Sequence, residues 1–145
     1  MNAEESPRWH LRFENFVKAE SNLAQAFTKY HPGPEDVVEL AGLIQLFEVT
    51  WELGWKVMRD YLTFAGLGKE AATPVGAIRA AFAAGIIEDG DGWMAATRLR
   101  HTLAHECDGD RAAAALHEVA ARHLALFRAL AEKLAHEMQS ADRAD

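Results

Sequence analysis

Apolar residues recur along most of this chain at three- and four-residue spacing, the period of helices that bury one stripe and solvate the rest. Trp9, Phe13, Phe16, Val17, Leu23 and Phe27 predict a first helix that runs to about Tyr30. Ser6 can cap it, and Pro7 suits a first helical position because the N–H it lacks has no partner there. His31-Pro32-Gly33-Pro34 turns the chain, and Pro34-Glu35-Asp36 opens a second helix with acids in its positive first turn. That helix is predicted to reach about Phe64, some 30 residues and about 45 Å. Val37, Leu40, Ala41, Ile44, Phe47, Trp51, Met58 and Tyr61 form one stripe on it. Leu43, Leu46, Val49, Leu53, Val57 and Phe64 carry apolar character round most of the circumference, so it needs packing partners on two sides. The bundle itself supplies one, and a second copy of the chain is the expected other.

The remaining elements follow from turn chemistry. Gly66 and Gly68 close the second helix, and Thr73-Pro74 caps a shorter third one that reaches about Ala84. The stretch from Gly85 to Gly92 alternates acids with glycine but lacks the ligand pattern of a calcium loop, so it reads as a turn with an aspartate cap. Trp93 to about Cys107 is a fourth helix. After a break at Asp108-Gly109-Asp110, Ala114, Leu116, Val119, Leu124, Phe127, Leu130 and Leu134 mark the fifth. Residues 140–145 are expected to fray. No alternating run of β-branched residues competes. The expectation is all-α: one domain over residues 1–145, an ordered core of about 6–139, and five helices in an up-and-down bundle.

Two positions in the second helix carry local arguments. Glu52 and Lys56 form an i,i+4 pair in the favoured order. Gly54 costs about 1 kcal/mol against alanine inside a helix, so its presence predicts that another helix approaches closely there.

Composition narrows the function. Half of the 145 residues are hydrophobic, 26% are charged and the net charge is −7. That balance is ordinary for a globular domain and excludes nucleic-acid binding spread over the whole surface, which needs clustered Lys and Arg. An RNA or nucleotide must be held locally. Cys107 is the single cysteine, so no internal disulfide is expected and a reducing, cytoplasmic setting fits. No signal segment or membrane span is expected, since the polar start Met1-Asn2-Ala3-Glu4-Glu5 leads into no long apolar run.

Against that acidic background, residues 98–105 concentrate Arg98, Arg100, His101 and His105. At about 100° per residue, Arg98, His101 and His105 fall within roughly one sixth of the circumference. Leu99 and Leu103, with Ala96, fall on a separate stripe that can face a core. Guanidinium holds a forked permanent charge and imidazole titrates near neutrality, a combination suited to a phosphate-bearing ligand. The i,i+4 histidines also suit a metal, but a third ligand is not convincingly placed, so no metal and no cofactor are expected. Arg100 lies about 140° from His105 on a regular helix. The two therefore meet only if the helix is distorted, if Arg100 reaches round it, or if Arg100 meets His105 of a second copy.

Several separated blocks carry a resemblance. Phe13…Asn15-Phe16…Lys18-Ala19, then Gln45…Phe47-Glu48…Thr50…Glu52-Leu53…Trp55-Lys56, then Ile78-Arg79…Ala81-Phe82…Gly85-Ile86-Ile87 and Trp93 occur in order. Together they resemble the nucleotidyltransferase substrate-binding proteins, small HEPN-domain proteins similar to the HepT toxins. The resemblance implies a helical-bundle homodimer, paired with a cognate minimal nucleotidyltransferase as antitoxin. It implies a motif of Arg, four residues and His at a dimer cleft, matched here by Arg100 and His105. In the toxin branch those two residues cut RNA without a metal. Arg98 and His101 are then expected to hold substrate, with His101 available as a second proton-transfer group. The alternative it implies is a subunit that binds nucleotide or substrate and does no chemistry. This chain has His101 where the motif usually has Asn, and Cys107 where the partner enzyme adenylylates a Tyr.

Overall fold

The structure, a computed structural model, describes residues 7–105 and 108–144. Among them every regular element is helical: α1 Arg8–Lys29, α2 Val37–Phe64, α3 Pro74–Ala83, α4 Gly90–His105, α5 Gly109–Glu118 and α6 Leu124–Ala144. A π-helical turn, Val119–His123, joins α5 to α6, so the chain folds as five rods. The all-α bundle is the expected class, and no described helix is long and apolar enough to cross a membrane.

Helix α2 is the axis, in contact with α1, α3, α4, α5 and α6. Its apolar circumference is used mostly inside the chain. Phe47, Trp51, Met58 and Leu62 join the main core with Trp9, Phe16, Trp93 and Phe127, while Leu40 and Leu43 meet Ala112 and Leu116 in a smaller cluster. What stays outside is Val37, Val38, Val49 and Phe64. Two buried polar groups tie neighbours together. The Thr50 hydroxyl donates to the carbonyls of Leu46 and, across to α1, Ala19. The Glu20 carboxylate, buried in α1, receives Arg128 Nη1 of α6 at 3.1 Å.

Helix ends follow local chemistry, with several shifts from expectation, among them α4, which begins at Gly90 and not at Trp93. Pro7 is the N-cap of α1 and not its first helical residue; Ser6 lies outside the described residues. Helix α2 begins at Val37 and not at Pro34, because Asp36 closes a turn on Gly33 through its amide and its carboxylate, at 3.1 and 2.8 Å. Gly66 and Gly85 (φ 77° and 76°) end α2 and α3 identically. After α2, Gly66 and Leu67 donate to Thr63 and Leu62; after α3, Gly85 and Ile86 donate to Phe82 and Ala81. These are paired Schellman closures, and only glycine takes the left-handed turn without strain. Thr73 caps α3 as expected, its hydroxyl accepting from Gly76 N. Helix α6 continues past Ser140 to Ala144; alanine and a terminal Arg143 suit a last helical turn.

Gly54 meets its expectation closely. A Cβ there would stand 2.8 Å from Cη2 of Trp93 and 3.3 Å from Cε1 of Phe16, so α2 lacks a side chain where the Trp93 ring lies against it. This contact fixes how α4 sits on α2, and with it the position of every side chain in the Arg-His stretch.

Candidate functional site

Helix α4 starts at a strong cap: Asp89 Oδ1 accepts from Gly92 N at 2.8 Å, and Asp89 O from Trp93 N. Trp93, Ala96 and Leu103 are buried and Leu99 packs partly against the core, which is the predicted inner stripe. The helix stays regular to His105. A distorted helix therefore does not bring Arg100 to His105.

The four candidate residues divide into two groups. Arg98, His101 and His105 are exposed, and the two imidazole centroids stand 4.4 Å apart in an edge-on contact. Arg100 turns the other way, toward α2. Its guanidinium carbon lies 5.3 Å from the centre of the Trp51 ring, a cation–π distance. Trp51 is itself held by α4, since its Nε1 donates to Thr97 Oγ1 at 3.1 Å while Thr97 donates to Trp93 O. Thr97 thus fixes the indole on which Arg100, three residues later, rests.

Arg100 also lines an open groove of about 360 Å³ with Gln45, Glu48, Val49, Glu52 and Leu53. The predicted Glu52–Lys56 pair is present at 3.0 Å. Arg100 Nε is buried without a hydrogen-bond partner, and among the described residues no carboxylate forms an ion pair with Arg100. Arg100 is thus a permanent cation held on the Trp51 ring, in a groove that also carries the Glu48 and Glu52 side chains. Among the described residues no group of three or more His, Cys, Asp or Glu side chains is placed to hold a metal. Cys107 and Glu106 lie outside the described residues.

Two features escape the sequence reading. Thr97 is one, because only the contact between α4 and α2 gives its hydroxyl a role. His123 is the other. It is 1% exposed at the end of the π turn, its ring centroid 6.0 Å from that of Phe47, and its Nδ1 has no partner. Leu124 N bonds Val119 O, five residues back, and this wider turn keeps Val119, His123 and Phe127 all facing the core. Burial lowers the His123 pKa below the usual imidazole value; Glu118 and Asp89 oppose that shift and Arg122 adds to it. A lone histidine in an apolar stripe gives no signal that separates core from surface.

The family model described as nucleotidyltransferase substrate binding protein like matches residues 11–136, from Leu11 in α1 to His136 in α6. No curated protein matches the chain. With most of its length covered by that match, the chain belongs to the nucleotidyltransferase substrate binding protein like family.

Proposed function

We propose that this chain is the partner subunit of a cognate minimal nucleotidyltransferase and acts as a cytoplasmic homodimer that cuts RNA without a metal. The observation that carries the reading is the Arg100 guanidinium, fixed on Trp51, with no counter-ion among the described residues and a buried Nε donor unused. Arg100 and His105 diverge on one regular helix, so the pair works between copies, Arg100 of one protomer beside His105 of its partner. The exposed Val38 and Val49, with half-buried Leu46 and Leu53 beside the Arg100 groove, supply an apolar contact surface. His105 accepts the proton of a ribose 2′-hydroxyl as that oxygen attacks phosphorus. His101 gives a proton to the departing 5′-oxygen, and a 2′,3′-cyclic phosphate results. Arg100 stabilises the charge that grows on the phosphoryl oxygens, and Arg98 holds a neighbouring phosphate.

Within a single copy, the separation of Arg100 from His105 favours a second reading: a subunit that binds nucleotide or RNA for the nucleotidyltransferase and performs no chemistry. Incubating the purified protein with RNA in EDTA, beside Arg100→Ala and His105→Ala, separates the two. Cleavage leaving cyclic phosphates, reduced about 100-fold or more in both variants, is expected. A monomeric protein in sedimentation, or products ending in 3′-hydroxyls, overturns the cleft mechanism. Absence of cleavage together with Arg100-dependent nucleotide binding selects the binding subunit.

A further inference from the structure

A second basic site lies at the other end of α2, where its last turns pass the first turn of α1. A cavity of about 520 Å³ opens there, walled by Arg8, Trp9, Arg59, Asp60, Thr63 and Phe64. Asp60, whose side chain is 8% exposed, receives Arg12 Nε on Oδ2 and Arg59 Nε on Oδ1, each at 3.0 Å. Both pairs are made through Nε, which leaves the terminal guanidinium nitrogens for something else. Arg8 is exposed and makes no ion pair among the described residues. Three guanidiniums against one carboxylate make this end positive in a chain whose net charge is −7.

Two further observations point to an oxyanion. Trp9 is 1% exposed, and its indole N–H is buried with no partner. Such donors are nearly always satisfied in folded proteins, and Trp9, unlike Trp55, lines this cavity, so an acceptor held there is a partner open to it. The first turn of α1 contains no acidic residue and Pro7 provides no side-chain cap, which leaves the positive helix end unneutralised by its own described residues. The wall is also apolar. Phe64 is 58% exposed, and its ring stands 6.3 Å from that of Trp9 and 6.5 Å from that of Tyr61. An exposed phenylalanine beside the Arg8 guanidinium and the terminal nitrogens of Arg59 suits a ligand with an apolar body and an anionic end.

We infer that this cavity binds a small aromatic oxyanion, its charged end on Arg8, Arg59 and the Trp9 N–H and its ring against Phe64. The site is separate from the Arg100 groove: Arg59 is eight residues beyond Trp51 on α2, or about 12 Å along the axis. Titration with phenyl phosphate, phenylacetate and inorganic phosphate, followed by calorimetry and tryptophan fluorescence, tests the assignment. Saturable binding of an aryl probe is expected, at least tenfold tighter than inorganic phosphate. The tighter of phenyl phosphate and phenylacetate tells whether the natural group is a phosphate or a carboxylate. Arg8→Gln, an exposed change safe for folding, and Arg59→Lys should each weaken binding by threefold or more. Arg79→Gln, on the exposed face of α3, controls for charge alone and should not change it. No saturable binding of either aryl probe, binding equal to that of inorganic phosphate, or binding indifferent to Arg8 and Arg59 overturns the inference.

Discussion

Trp51 and Trp55 sit one turn apart on α2, and each carries an arginine over its ring, at 5.3 and 5.2 Å. The two units look alike and differ in every respect that matters for ligand binding. Arg59 belongs to the same helix as Trp55 and is paired through Nε with Asp60. Arg100 comes from α4, has no carboxylate partner among the described residues, and keeps a buried Nε unused. The tryptophans show the reverse: Trp51 Nε1 is bonded to Thr97, whereas Trp55 Nε1 is buried without a partner. An aromatic contact alone therefore does not identify a functional arginine. What separates the two is charge pairing: among the described residues Arg100 has no carboxylate partner, while Arg59 is held on Asp60.

The largest effect is expected on the structural side. Asp60→Asn removes a nearly buried carboxylate that two guanidiniums converge on, and leaves both without their counter-charge. Breaking such a pair costs up to several kcal/mol when both partners are buried. The arginine side chains here are 25% and 28% exposed, so a loss of about 2 kcal/mol in urea unfolding is the expected result. A loss under about 0.5 kcal/mol would show the cluster to be solvated surface and would break the contrast with Arg100.

A finer test exchanges the platforms. Trp51→Phe and Trp55→Phe remove the same volume from the same helix. Only the first breaks a hydrogen bond and leaves Thr97 without its indole partner. Trp51→Phe should therefore be the more destabilising by about 1 kcal/mol. It should also weaken RNA or nucleotide binding several-fold, because Arg100 loses the better of the cation-binding rings. Trp55→Phe should leave that binding unchanged. Equal stability losses would mean that Thr97 does not hold Trp51, and the positioning argument for Arg100 would fail with it.

The bundle was legible in advance because its signals are local. Helical period, proline and glycine breaks, and the Thr73 and Asp89 caps depend only on neighbours in sequence. The Gly54 approach was legible too, since glycine inside an otherwise regular helix is costly unless something fills the missing Cβ. Apolar character all round α2 shows how many partners the helix needs, and the chain itself supplies most of them. At the site, periodicity placed Arg98, His101 and His105 on one exposed face and separated Arg100 from them. It could not say where Arg100 goes. That depends on Trp51 reaching Arg100 across the contact between α2 and α4, which pairs residues 49 positions apart.

Phe47, one turn before Trp51, extends the comparison to a third ring with a basic group against it, the imidazole of His123. Here the basic group is fully buried, so burial favours its neutral form and lowers its pKa. In the unfolded chain the imidazole takes a proton as pH falls through its ordinary value of 6.5, while in the fold it resists until lower pH. The unfolded state then binds more protons, and stability declines as pH falls below that value. The effect is the smallest of the three, under about 1 kcal/mol per pH unit. Urea unfolding between neutral pH and pH 5, compared with His123→Phe, isolates it. The variant keeps a ring against Phe47 and removes the orphaned Nδ1, so it should be less sensitive to acid and no less stable near pH 5. A variant that loses stability in parallel with the wild type would show that His123 is protonated and accommodated within the fold. The series of aromatic platforms would then carry cations at all three turns, and neutrality would no longer set Phe47 apart from Trp51.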